Sequence, residues 1–122
     1  MAKVLIADDS RVHVHLLTSW LEEEGFEVVP TFDAVQAWMG VTRNHPDVVV
    51  LDINMPGGSG IDVLKRLKSS AKTNRIPVVV ISGNAGLDMR DFVQRLGAAD
   101  LLEKPLDQEQ FRKALQRVTG KA

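Results

Sequence analysis

Four short stretches of the chain carry side chains suited to chemistry: Asp8-Asp9, Asp52 with Asn54 two residues on, Ser82, and Lys104-Pro105. Each has an ordinary structural explanation. An aspartate ahead of a helix is often a cap, a serine after a strand often starts a turn, and a lone lysine is usually solvated. Taken together they suggest more. Two like charges about 4 Å apart repel by about 4 kcal/mol at an effective dielectric of about 20, so a fold that gathers three carboxylates calls for a cation. The side chains on offer are oxygen donors. They select a hard ion, Mg2+, with Mn2+ as the alternative. Mg2+ binds through one or two carboxylates and keeps positions for water and phosphate oxygens. An aspartate in such a site is a nucleophile able to form an aspartyl phosphate. Asp52 is the middle carboxylate and adjoins a glycine-rich stretch, NMPGGSG, that can bend away and leave it open. The Lys104 ammonium would neutralise one phosphoryl oxygen, and the Ser82 hydroxyl would donate to another.

This convergence requires a fold that carries all four stretches to one edge. Apolar, β-rich runs predict strands at residues 4–7, 26–29, 48–51, 78–81 and 101–102. Between them the spacing turns helical: Ala34, Ala37, Trp38 and Val41 recur at i, i+3, i+4 and i+7, as do Phe111, Ala114, Leu115 and Val118. Ile61, Leu64 and Leu67 mark a third helix, Phe92, Val93 and Leu96 a fourth, and Leu16, Leu17, Trp20 and Leu21 the one after the first strand. Ser10 is placed to cap that first helix and Gly25 to close it. Asp33 with Gln36, Ser59 with Asp62, and Asp107 with Gln110 are spaced as capping boxes, and Leu106 and Phe111 as a hydrophobic staple. Gly97 suits a left-handed helix end, and Pro46 and Pro77 fall just before strands, where a missing N–H does least harm. The pattern is strand–helix five times over. Runs 48–51 and 78–81 are apolar at every position, as strands covered on both faces are, which predicts a parallel sheet between two helix layers. Right-handed crossovers then favour a doubly wound α/β fold, a five-stranded parallel sheet in the order 2-1-3-4-5. In such sheets ligands bind beyond the carboxyl ends of the strands, where all four stretches fall.

Composition narrows the function classes. The chain has 122 residues, enough for one domain spanning residues 1–122, and no cysteine, which excludes a disulfide framework, a thiolate metal site and a cysteine nucleophile. No apolar run approaches the roughly 20 residues of a membrane span, and the first residues lack a basic-then-apolar leader, so the expected location is the cytoplasm. The net charge of −1 hides an asymmetry: residues 1–61 carry three basic and nine acidic side chains, residues 62–122 twelve and seven. The basic half includes Lys65, Arg66, Lys68, Lys72 and Arg75. No aromatic residue interleaves with them, so a solvated helix face is expected rather than a nucleic-acid surface.

The ordered set resembles the receiver domains of bacterial two-component response regulators, chemotaxis-regulator-like and flavodoxin-like in fold. Its landmarks are Asp8-Asp9, the stretch LDINMPGGSG around Asp52, Ser82, and GAADLLEKP ending in Lys104-Pro105. The resemblance implies that Asp52 accepts a phosphoryl group from a histidine kinase or phosphotransfer protein. It implies that Asp9, Asp52 and the backbone carbonyl of Asn54 bind Mg2+, with Asp8 acting through a water. It also implies that Ser82 and Lys104 hold the phosphoryl oxygens, and that the Lys104–Pro105 peptide is cis. The chain would be a signalling switch that catalyses only its own phosphorylation and dephosphorylation, a monomer or a phosphorylation-dependent dimer. Its output partner would be an unknown protein, met through the fourth helix, fifth strand and fifth helix. It would be a stand-alone receiver or a piece of a longer regulator. Val12 and Val14, read as exposed near the acidic pair, suggest a kinase-docking patch. The sequence departs from the family pattern at Leu101, where an aromatic residue is usual, so any response would run through Ser82 and backbone motion, with Leu101 repacking at most. Gly83 leaves the site open, and Asn84 puts a neutral polar group near it.

Three other readings fit less well. A haloacid-dehalogenase-like phosphatase wants a second aspartate where Asn54 stands. A dinucleotide loop after the third strand has Gly58 and Gly60 but Val63 at the third glycine position, and a flavin phosphate would be repelled by Asp8-Asp9. A receiver-like interaction module that never takes phosphate is supported only by Leu101.

Overall fold

Among the described residues five strands and five helices alternate: β1 Lys3–Ala7, α1 Arg11–Glu23, β2 Glu27–Thr31, α2 Ala34–Asn44, β3 Val48–Asp52, α3 Gly60–Ser69, β4 Val78–Ser82, α4 Leu87–Arg95, β5 Asp100–Glu103 and α5 Gln108–Thr119. The structure is a computed structural model that describes residues 2–55, 60–83 and 86–120. All strand pairs are parallel and the sheet order is β2-β1-β3-β4-β5, as the sequence predicts. The strand of residues 26–29 begins one residue later and runs on through Pro30 to Thr31. Pro30 is tolerated because β2 is an edge strand, where a missing ladder donor costs little.

The period of two in the strands sorts side chains to opposite faces. Leu5, Val49, Leu51, Val78, Val80 and Leu101 pack with Ala37, Val41, Leu64, Leu67 and Val93 of α2, α3 and α4. Val4, Ile6, Val48, Val50, Val79 and Ile81 pack with Leu17, Leu21, Phe111 and Leu115 of α1 and α5. Every residue of β3 and β4 is buried, which is why their sequences show no alternation. Each layer carries one tryptophan. Trp20 tilts against Phe111 with ring centroids 5.9 Å apart. Trp38 lies under the Arg66 guanidinium at 4.0 Å.

The helix ends form largely as their sequences predict. Ser10, Asp33 and Asp107 accept backbone N–H bonds from His13, Gln36 and Gln110. Gly25 and Gly97 take positive φ, 84° and 102°. Ser59 lies outside the described residues, so its capping box does too. Phe111 is 2% exposed at the centre of the α1–α5 layer. Phe111→Ala is expected to cost about 3–5 kcal/mol, measured as a lower urea midpoint at unchanged m-value.

The basic stretch differs from a plain solvated face. The Lys68 ammonium donates to the carbonyls of Asn74 (3.0 Å) and Ile76 (2.7 Å), stapling the turn after α3, and burial pushes its pKa down. Arg66 is engaged with Trp38. Lys65, Lys72 and Arg75 are exposed.

Candidate functional site

Register brings the predicted residues level. Ala7 pairs with Leu51, Asp52 with Ile81, and Ser82 with Glu103, so the carboxyl ends of β1, β3, β4 and β5 share one rim. Asp8 and Asp9 follow β1, Asp52 ends β3, Ser82 ends β4 and Lys104 follows β5. Backbone bonds lock the rim: Ile53 N–H donates to the Ile81 carbonyl at 3.2 Å, and Lys104 N–H to the Ser82 carbonyl at 2.9 Å. The Lys104–Pro105 peptide is cis.

Asp8, Asp9 and Asp52 each present a carboxylate oxygen within 4.8 Å of the others. Asp8 and Asp52 are buried, at 1% and 2% exposure, and Asp9 is open to solvent. Asp52 is held at both oxygens: Oδ1 accepts the Asn54 N–H at 3.0 Å, and Oδ2 accepts from Lys104 Nζ at 2.9 Å. Burial pulls the Lys104 ammonium down. The hydrogen bond and charge of Asp52, with Asp8 and Asp9 beyond, outweigh it and hold the group above the ordinary lysine range. The lysine's contribution to stability is therefore present throughout the neutral range and is lost as pH climbs through that raised value. Ser82 is 2% exposed beside Asp52. A side chain at Gly83 would meet nothing within 4 Å, so the rim is open there. Asn84 lies outside the described residues.

The start of α3 comes very close to the central aspartate. Gly60 N–H donates to the Ile53 carbonyl at 2.6 Å. A Cβ on Gly60 would fall 2.2 Å from the Asp52 carbonyl oxygen and 2.6 Å from Ile53 Cα. Only glycine fits between this helix and the strand end.

Two expectations need correction. Val12 is 83% exposed, but Val14 is 4% exposed and packs with Leu17 and Leu21 in the core, since helical periodicity turns it inward. The exposed partner of Val12 on α1 is Leu16, one turn on. The rim is also not all oxygen: the His13 ring nitrogen Nδ1 contacts Asp8 Oδ2. His13 is three residues beyond the Ser10 cap, the position whose side chain reaches back over a helix start, and that spacing is the signal that would have found it. Leu101 is 4% exposed and packed in the core, with its carbonyl accepting from Arg90 at 3.2 Å.

Comparison with known proteins agrees with this geometry. The sequence matches the response regulator receiver domain over residues 4–116. It is 34% identical over 118 residues to protein PilH of Pseudomonas aeruginosa, covering 97% of this chain and 98% of PilH. It is 38% identical over 106 residues to response regulator PleD of Caulobacter vibrioides, covering 87% of this chain but 23% of PleD. The fold superposes on chemotaxis response regulator CheY4 of Vibrio cholerae with a TM-score of 0.91 at 29% identity, covering 97% of this chain and 98% of that one. With three acidic side chains, a serine and a lysine gathered at one rim of this sheet, and relatives that match almost end to end, the chain belongs to the response regulator receiver domains of two-component phosphorelay signalling.

Proposed function

We propose that residues 1–122 form one receiver unit that acts as a phosphorylation-dependent switch, with Asp52 as phosphoacceptor. The observation that carries this reading is a buried Asp52 whose Oδ2 is paired with Lys104 at 2.9 Å inside a set of three carboxylates within 4.8 Å. Three carboxylates, with Lys104 against Asp52 and His13 against Asp8, present oxygen ligands that fit a small hard cation. Asp9, Asp52 and the Asn54 carbonyl would hold Mg2+, with Asp8 reaching it through water. When bound, the ion offsets the negative charge of the carboxylates and the incoming phosphoryl oxygens. The remaining work falls to the chain. Lys104 donates to Asp52 Oδ2 and holds it in place. An Asp52 oxygen attacks the phosphorus of a phosphohistidine on a histidine kinase or phosphotransfer protein. The O–P bond forms as the P–N bond breaks, and the electron pair leaves on the imidazole nitrogen, which takes a proton. The Lys104 ammonium then turns to a phosphoryl oxygen, and Ser82 donates to another. Water attack on phosphorus later restores the carboxylate and releases inorganic phosphate. With Leu101 in the aromatic position, the response runs through Ser82 and the backbone after β4. The expected setting is the cytoplasm, with a protein output partner. Among the described residues no helix is long and apolar enough to cross a membrane.

The test is intact-mass spectrometry after incubation with acetyl phosphate or a phosphorylated donor: one phosphoryl adduct with Mg2+ and none with EDTA. An adduct that forms equally well without divalent metal defeats the metal-dependent reading. Mg2+ alone should also raise stability, by about 2.7 kcal/mol at roughly a hundred-fold excess over its Kd. Asp9→Ala, at an exposed position, should leave the metal-free melting temperature close to wild type and remove that increment. A full increment in the variant counts against Asp9 as a ligand.

A further inference from the structure

The acidic rim contains one group that the phosphorylation reading leaves unused, His13. We infer that His13 is a positioning residue that fixes the orientation of Asp8 toward the bound divalent ion. The inference rests on the reading that Asp9 and Asp52 hold that ion.

The geometry is a closed circuit of three residues. Asp8 Oδ1 accepts the Ser10 N–H at 2.9 Å. Asp8 Oδ2 is met by His13 Nδ1. The His13 backbone N–H in turn donates to Ser10 Oγ at 3.2 Å. An ionised carboxylate only accepts, so Nδ1 carries the hydrogen of the second bond. Both donors to Asp8 come from the start of α1, Ser10 as its N-cap and His13 in its first turn. A carboxylate gripped at both oxygens from one rigid helix start cannot rotate about its side-chain bonds. Each oxygen still has a lone pair to spare, so the clamp leaves Asp8 able to accept from a metal-bound water.

The three acids are therefore held differently. Asp52 is clamped by Asn54 and Lys104, Asp8 is clamped by Ser10 and His13, and Asp9 is exposed. Two fixed acids and one exposed acid make a site whose shape is set before the ion arrives. Hydrogen bonds to a metal site's carboxylates typically contribute about 10–100-fold in metal affinity. Without His13, a carboxylate at 1% exposure keeps one donor among the described residues and is free to turn about it.

The experiment is a calorimetric titration of metal-free protein with MgCl2, comparing wild type, His13→Ala and His13→Asn, with melting temperatures measured in EDTA. The Asn amide nitrogen occupies about the position of Nδ1 and can donate the same bond. Mg2+ affinity should fall about ten-fold in His13→Ala and stay within about three-fold of wild type in His13→Asn, with similar metal-free melting temperatures. Wild-type affinity in both variants overturns the inference, since the bond then carries nothing. Equal weakening in both overturns it too, because the ring's bulk and not its hydrogen bond would matter. Tighter binding by His13→Ala overturns it by making His13 a competitor of the ion. These three results leave the metal reading intact. Failure of the wild-type protein to bind Mg2+ removes that reading and the inference together.

Discussion

Asp52→Asn is expected to remove the phosphoryl adduct completely while leaving the fold intact. Asparagine keeps the shape, and its amide oxygen can accept from one of the two donors that hold Asp52, the Asn54 N–H or the Lys104 ammonium, so the buried position keeps its packing and loses one of the two bonds. What it lacks is the carboxylate oxygen proposed to attack phosphorus. Removing one of three carboxylates within 4.8 Å also relieves repulsion, which offsets the weakened pair with Lys104. The expected result is no mass increment with acetyl phosphate and Mg2+, and a metal-free melting temperature within a few degrees of wild type. An adduct that persists unchanged in the variant would place the acceptor elsewhere.

Gly60→Ala has the second largest effect, and it acts on the backbone. The added methyl would sit 2.2 Å from the Asp52 carbonyl oxygen and 2.6 Å from Ile53 Cα, both main-chain atoms at the end of β3. Neither can swing aside as a side chain would. Either α3 retreats, breaking the 2.6 Å bond from Gly60 N–H to the Ile53 carbonyl, or the strand end shifts and takes Asp52 with it. A cost of about 3 kcal/mol is expected, at the upper end for overpacking, together with slower phosphorylation. The urea midpoint and the rate of adduct formation measure the two. Gly83→Ala is the control for stability, because nothing lies within 4 Å of its Cβ; it should change stability by less than about 0.5 kcal/mol. Equal midpoints for the two variants would show that the close approach at Gly60 is not a constraint.

Why these features differ in legibility is a matter of range. The strands of residues 48–51 and 78–81 are unbroken apolar runs, and burial on both faces produces that pattern locally, so their place in the middle of the sheet can be read directly. Sheet order follows from handedness and alternation. The acidic residues, Ser82 and Lys104 are legible because each sits at or just after a strand end, and topology alone brings strand ends together. Val14 is close to Asp8 in sequence, but nearness does not fix which way a helical side chain turns. The helical period places it with Leu17 and Leu21, facing the core. His13 was missed for a related reason. Its link to Asp8 comes from the reach-back geometry at a helix start, the same geometry by which Gln36 accepts the Phe32 N–H ahead of α2. Lys68 reads as a surface charge in sequence, because nothing local reveals that the chain folds back to offer it two carbonyls. The tightness at Gly60 is equally invisible, since it depends on where α3 returns to the sheet.

The placement of the aromatic rings has a practical consequence. The chain has two tryptophans and no tyrosine, so its near-ultraviolet emission comes from Trp20 on one side of the sheet and Trp38 on the other. Changing either one to phenylalanine leaves a single lamp in a single layer. The two variants then watch the halves of the molecule melt separately, and superimposable curves would show that both sides of the sheet come apart in one event.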